Sequence, residues 1–124
     1  MAILKTYARL WSTDLDRALP PLIELVGAEC DLRFEFGSVE IAAIGDFLVI
    51  AGSAEAAAEL PRASTTVIVS DLGETRALLR AHGAEITFGP AESLTGSYLF
   101  ARHLDGAEVE YVQWKPELRD RIVK

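Results

Sequence analysis

The side chains best able to hold or act on a small molecule fall in three segments of alternating character. In Tyr7-Ala8-Arg9-Leu10-Trp11 a phenol, a guanidinium and an indole recur at every second residue. An extended backbone puts these three on one face and turns Ala8 and Leu10 toward a covering helix. In Glu108–Trp114 the same alternation groups Glu108, Glu110, Val112 and Trp114, with Val109 and Tyr111 opposite. Ser64, Thr66 and Ile68 form a third set. Aromatic faces stack on flat or cationic groups, while hydroxyls and carboxylates orient them. No Ser–His–Asp or Cys–His set is assembled, and no glycine-rich phosphate loop appears; Phe88-Gly89-Pro90 reads as a turn. His82 falls at the end of a helical stretch, where a cation suits the helix dipole. His103 precedes the turn Leu104-Asp105-Gly106 and reads as a solvated residue.

The elements that must position these residues follow a repeated grammar. Thr13-Asp14-Leu15, an apolar helical stretch and Gly27-Ala28-Glu29 are matched by Ser70-Asp71-Leu72, a similar stretch and Gly83-Ala84-Glu85. The hydroxyl-to-glycine spacing differs by one residue, which indicates duplication. Thr13 and Ser70 are expected to cap the helices, with Asp14, Asp16 and Asp71 placing negative charge on the first turns. Leu15, Ala18, Leu19, Leu22 and Val26 make one apolar stripe, and Leu72, Thr75, Leu78 and Leu79 the other. Pro20 and Pro21 predict a kink, or a restart of the first helix.

Strands are expected at Leu4–Ser12 and Ala63–Val69 ahead of the helices. Cys30–Phe36, Val39–Ile44 and Phe47–Ala51 follow the first helix; Glu85–Phe88, Ser97–Arg102 and Glu108–Trp114 follow the second. The expected class is α+β: two βαβββ repeats forming a curved mixed sheet around a central cleft, helices outside. Repeat one covers about 3–52, a linker 53–62, repeat two 63–114 and a charged tail 115–124, all in one domain.

Half of the 124 residues are hydrophobic, enough for a core without metal or disulfide. Twelve basic against nineteen acidic side chains give a net charge of −7, which repels nucleic acid and anionic membrane. The single cysteine, Cys30, reads as a small buried strand residue. No stretch resembles a signal peptide or approaches the ~20 apolar residues of a membrane span, so a cytoplasmic setting is expected.

Asp14-Leu15-Asp16-Arg17-Ala18, the exit Gly83-Ala84-Glu85 and the ending Asp105-Gly106-Ala107-Glu108-Val109-Glu110 together resemble the glyoxalase/bleomycin-resistance group of the vicinal oxygen chelate superfamily. The resemblance runs from about residue 4 to residue 114. It implies a cleft lined by Tyr7, Arg9, Trp11, Ser64, Thr66, Glu108, Glu110 and Trp114, and a homodimer. Enzymes of the superfamily hold a divalent metal with side chains from the first and last strand of each half. Here those positions carry Tyr7, seven residues before Asp14; Ser64, seven before Asp71; the donor-free Ile50-Ala51-Gly52; and Glu110. One carboxylate, a phenol and a hydroxyl do not make a divalent site, so no metal or other cofactor is expected unless the strand register shifts and brings in Glu40 or Asp46.

Three functions follow from that resemblance. The first is metal-independent binding of a small organic molecule, aromatic or cationic, in the manner of antibiotic-sequestering bleomycin-resistance proteins. The second is a metal-dependent lyase, isomerase or dioxygenase, and the third a metal-free enzyme with Glu110 as general base and Tyr7 as acid. Trp11 and Trp114 serve equally as core or dimer packing, and Glu110 equally as an ion-pair partner of Arg9 across the cleft.

Overall fold

A computed structural model describes residues 2–123. The fold is α+β and consists of two βαβββ repeats. The first runs β1 (Ile3–Ser12), α1 (Leu15–Val26), β2 (Leu32–Phe36), β3 (Val39–Ile44) and β4 (Phe47–Ala51). After α2 (Ala54–Ala58), the second runs β5 (Thr65–Val69), α3 (Leu72–Ala81), β6 (Glu85–Glu92), β7 (Gly96–Arg102) and β8 (Glu108–Trp114), ending in α4 (Pro116–Ile122). The chain forms two compact units: Tyr7–Pro61, and the residues up to Thr6 together with those from Arg62 onwards.

In the Tyr7–Pro61 unit the strand order is β2-β3-β4-β1, with β1 parallel to β4 and the other pairs antiparallel. Leu15 and Leu19 of α1 pack on Ala42, Ile44, Val49 and Ala51, flanked by Ala18, Leu22, Ile23 and Val26. Burying a leucine of this kind contributes about 1.5–3 kcal/mol. The helix runs continuously through Pro20 and Pro21 instead of restarting there. Its apolar stripe holds it against the sheet although two amide donors are lost. Leu10 lies beside Val49 but stays 36% exposed, while α1 packs on β3 and β4. Cys30 precedes β2, half-buried against the α1 cluster, and is not itself in a strand. On the same side Arg33 bridges Asp16 at 2.9 Å and Glu40 at 3.0 Å, and these two carboxylates hold its guanidinium charged.

In the other unit the order is β6-β7-β8-β5, with β5 parallel to β8. The two sets of four strands therefore share one topology, as duplication requires. Leu72 and Leu79 of α3 cover Val67, Val69, Leu99 and Ala101, joined by Val109 and Tyr111. Thr75 is buried with its hydroxyl donating to the Asp71 carbonyl at 2.7 Å, whereas Leu78, expected in the stripe, is 50% exposed.

Both caps lie one residue later than expected. Asp14 accepts from the Asp16 amide at 3.0 Å and Asp71 from the Glu74 amide at 2.9 Å, since the longer carboxylate reaches the first-turn donors. Ser70 is otherwise engaged: its Oγ accepts from Ala2 N at 2.8 Å and its own amide donates to the Ala2 carbonyl. Phe88-Gly89-Pro90 is not a turn. It lies inside β6, which continues to Glu92 through two register shifts, and the Gly89–Pro90 bond is cis. The expected linker holds α2, which Ser53 caps through Ala56 N, and the tail holds α4, opened by Pro116. Gly96 is required by space: its φ is +148°, and a Cβ there would overlap the Gln113 carbonyl oxygen. Among the described residues no helix is long and apolar enough to cross a membrane.

Candidate functional site

Strand β8 decides which side chains face away from α3. Val109 and Tyr111 belong to the α3 cluster, so alternation turns Glu108, Glu110, Val112 and Trp114 to the opposite face. The register places Thr66 of β5 on one side of Glu110 and Phe100 of β7 on the other. Tyr98 stands opposite Val112, and Phe88 of β6 stands opposite Phe100.

Glu110 is half-buried, and the Thr66 hydroxyl donates to its Oε1 at 2.8 Å. Thr66 is only 2% exposed, so this donor is fixed in the sheet. Beside the carboxylate three rings form a cluster. Phe88 stacks on Tyr98 at 5.9 Å and 22°, Tyr98 meets Phe100 edge-on at 6.1 Å, and Phe88 meets Phe100 at 6.4 Å. Burial, and then the negative charge of Glu110, raise the Tyr98 pKa above the usual phenol value. The phenol therefore stays protonated, a hydrogen-bond donor near an acidic acceptor. Phe100 is buried, whereas Phe88 is 51% exposed.

A second polar group continues along this face. Thr87 donates to Glu108 Oε1 at 2.7 Å, and Arg102 lies 3.7 Å from Glu108 Oε2 and 3.2 Å from Glu85. Trp114 is buried at the end of β8, paired with Gly96, whose lack of a side chain leaves room for the strand contact. Ser64 precedes β5, exposed; its amide donates to the Glu108 carbonyl and its hydroxyl lies 3.3 Å from that of Thr65.

The remaining expected site residues lie in the Tyr7–Pro61 unit. Tyr7 is fully buried, and burial, with Asp31 and Asp46 adding to it, drives its phenol pKa far upward. Arg9 lies over the Trp11 ring with its Cζ 5.3 Å from the centroid, a cation–π pair on one strand face. This unit also has a concavity of about 360 Å³ between the start of α1 and the β2–β3 hairpin, edged by Asp14, Glu35 and Glu40. Asp14 already caps α1 and Glu40 already pairs with Arg33, so these carboxylates serve the fold.

A divalent metal does not fit the residues present. Among the described residues no group of three His, Cys, Asp or Glu is placed to hold one. A deeply buried phenol with a raised pKa resists ionisation, and Ser64 and the Ile50–Gly52 strand end supply no anionic donor. The histidines lie elsewhere. His82 is the C-cap of α3. His103, expected to be solvated, is half-buried with its Nε2 2.7 Å from the Tyr111 hydroxyl, on the α3 side of β8.

Phe88, Tyr98 and Phe100 are absent from the residues that sequence alone singled out. Tyr98 and Phe100 do alternate along an expected strand, which was a signal. Their adjacency to Glu110 depended on register, and Phe88 depended on β6 running past Gly89.

A solved structure of an uncharacterized protein from Methanosarcina mazei is 37% identical to this chain, covering 93% of it and 95% of that protein, with a TM-score of 0.87. The chain belongs to that protein's family. Methylmalonyl-CoA epimerase from Mycobacterium tuberculosis matches at 16% identity over 95% of this chain and 93% of the enzyme, with a TM-score of 0.73. A Streptomyces coelicolor methylmalonyl-CoA epimerase variant in complex with 2-nitronate-propionyl-CoA matches at 13% identity over 93% and 97%, with a TM-score of 0.71. The chain shares its fold with these epimerases. No protein-family model and no curated protein matches the chain.

Proposed function

We propose that this protein binds a small organic molecule without a metal, beside Glu110 on the face of the β6-β7-β8-β5 strands turned away from α3. The observation that carries the reading is the Thr66–Glu110 hydrogen bond set beside the Phe88, Tyr98 and Phe100 rings. Rings supply the contact area, and an oriented carboxylate with a protonated phenol fixes the ligand's polar groups. The mechanism is stoichiometric: the compound is held and its free concentration falls, as in drug-sequestering bleomycin-resistance proteins. The reading takes the protein to be a cytoplasmic homodimer, which sedimentation velocity checks at the level of assembly.

Elemental analysis after incubation with nickel, zinc, manganese and iron(II), followed by desalting, tests the absence of a metal. Less than about a tenth of an equivalent in every case is expected, because the donor set lacks the three or more ligands a tight divalent site uses. Close to one equivalent of any of these metals would overturn the reading. Ligand binding is tested by titrating aromatic compounds and following the two tryptophans, Trp11 and Trp114. Acyl-CoA thioesters belong in that titration, because the epimerases that share the fold act on one.

A second reading rests on the Tyr98 phenol beside Glu110. A carboxylate acceptor next to a protonated phenol can pass a proton onto and off a bound carbon acid. Solvent-deuterium exchange into a bound ligand, lost in Glu110→Gln, would establish turnover of this kind. Binding with no exchange leaves sequestration.

A further inference from the structure

Strand β2 ends the β2-β3-β4-β1 set and pairs with β3 alone. The β2–β3 hairpin closes on Phe36 and Val39 around Gly37-Ser38, with Gly37 at φ +58°. In a two-residue hairpin the closing pair exchanges both backbone bonds. Alternation then gives Phe36, Phe34 and Leu32 to the β3 ladder and turns the N–H and C=O of Arg33 and Glu35 outward. Both residues are exposed, and among the described residues neither makes a backbone hydrogen bond beyond that ladder. The end strand of the second repeat, β6, is guarded by two register shifts and by Pro90, which has no N–H to offer. β2 carries neither device.

The side chains of this edge are self-complementary. Leu32-Arg33-Phe34-Glu35-Phe36 runs apolar, basic, apolar, acidic, apolar. An antiparallel copy centred on Phe34 sets Arg33 opposite Glu35, Phe34 opposite Phe34 and Leu32 opposite Phe36, and joins the outward backbone groups of Arg33 and Glu35. A register two residues away in either direction sets Arg33 against Arg33 or Glu35 against Glu35, which like-charge repulsion disfavours. Glu35 stands opposite Glu40 in its own sheet and makes no ion pair among the described residues. Arg33 gives Nε and Nη2 to Glu40 and Asp16, and its Nη1 donors make no bond among the described residues. On the other face Leu32, Phe34 and Phe36 are only half-buried, so pairing covers apolar surface as well.

We propose that a second copy of this chain adds to the outer edge of β2, antiparallel and in the register centred on Phe34, as an isologous strand pairing. The inference rests on the homodimer taken above and names its surface. Each copy carries a net charge of −7 and the contact is five residues long, so a weak, concentration-dependent dimer is expected.

Sedimentation velocity on the full chain, from about 5 to 500 μM, reads the association of an interface of this small size. Glu35→Pro removes an outward N–H that no ladder bond uses and should leave a monomer throughout the range, with native far-UV dichroism. Glu35→Lys puts two like-charge pairs into the dimer and should raise its dissociation constant about tenfold. Its Tm should equal or exceed that of the native chain, because the repulsion from Glu40 is relieved. In a Cys30→Ala background, Phe34→Cys should form a disulfide-linked dimer on mild oxidation, since facing residues of a non-hydrogen-bonded pair lie about 4.5 Å apart at Cα. Leu32→Cys should not, because its partner position is Phe36. If Glu35→Pro misfolds, the lysine variant and the crosslink decide. A dimer that both Glu35 variants leave intact, or that Phe34→Cys does not trap, overturns this inference and leaves the homodimer standing on another surface. A monomer at every concentration overturns both, and ligand binding is then judged by its own titration.

Discussion

Replacing Thr66 by valine removes one hydroxyl and almost no volume. In the native protein that hydroxyl lies 2.8 Å from Glu110 Oε1, inside a residue only 2% exposed. A hydrogen bond to a charged group contributes about 1.5–3 kcal/mol. Glu110 is half-buried and still reached by water, so the lower part of that range applies, about 1.5–2 kcal/mol. The average unfolding entropy, roughly 2.1 cal/mol/K per residue, applied to 124 residues makes this a fall in Tm of roughly 6–8 °C. Urea unfolding should show a lower midpoint at unchanged slope, because the native surface is the same. Thr66→Ser keeps the hydroxyl and should lose only about 1 kcal/mol, from the missing methyl group. Glu110→Gln completes a double-mutant cycle. Thr66→Val in that background should be milder by about 1 kcal/mol, because the charge-assisted part of the bond is already gone. A Thr66→Val protein within about 0.5 kcal/mol of wild type would refute the reasoning, as would an equal loss in both backgrounds.

The three tyrosines of the chain, Tyr7, Tyr98 and Tyr111, all have phenol pKa values raised first by burial. Folded pKa values above the unfolded ones mean stability that is complete below about pH 10 and is lost as pH climbs through the folded values. Absorbance at 295 nm should therefore show little tyrosinate in the native protein at about pH 10, where the urea-unfolded chain is half-titrated; half-titration with native dichroism intact would contradict this. Leu99→Ala, at a fully buried core position, should destabilise by about 3–4 kcal/mol, whereas Leu104→Ala, 79% exposed, should stay within about 0.5 kcal/mol; similar losses in chemical denaturation would speak against the assigned core. Gly96→Ala forces a side chain onto the Gln113 carbonyl and should cost more than about 3 kcal/mol or prevent soluble expression; a native-like Tm would contradict the β7–β8 geometry.

Local signals carried most of the repeat architecture. Apolar periodicity placed α1 and α3, glycine-bounded alternation placed the strands, and the β3, β4 and β8 boundaries coincide with those expected. The departures have local causes as well. Ser70 was read as a cap because its neighbours suit one, but it hydrogen-bonds to Ala2, 68 residues away. Glycine followed by proline reads as a turn in sequence, yet β6 takes both into an edge strand, where a missing amide donor costs no ladder bond. The short helices α2 and α4 lack an apolar stripe long enough to stand out from a linker and a charged tail.

Alternation within one strand is a property of the chain alone, and it determined that Glu108, Glu110, Val112 and Trp114 share a face and that Arg9 and Trp11 lie together. Which side chains meet Glu110 was decided only in three dimensions. Thr66 is 44 residues before it, and Phe88, Tyr98 and Phe100 reach it through the registers β5–β8, β7–β8 and β6–β7. Register depends on which faces are buried and where a bulge falls, and a shift of one residue would turn every one of these side chains to the α3 side.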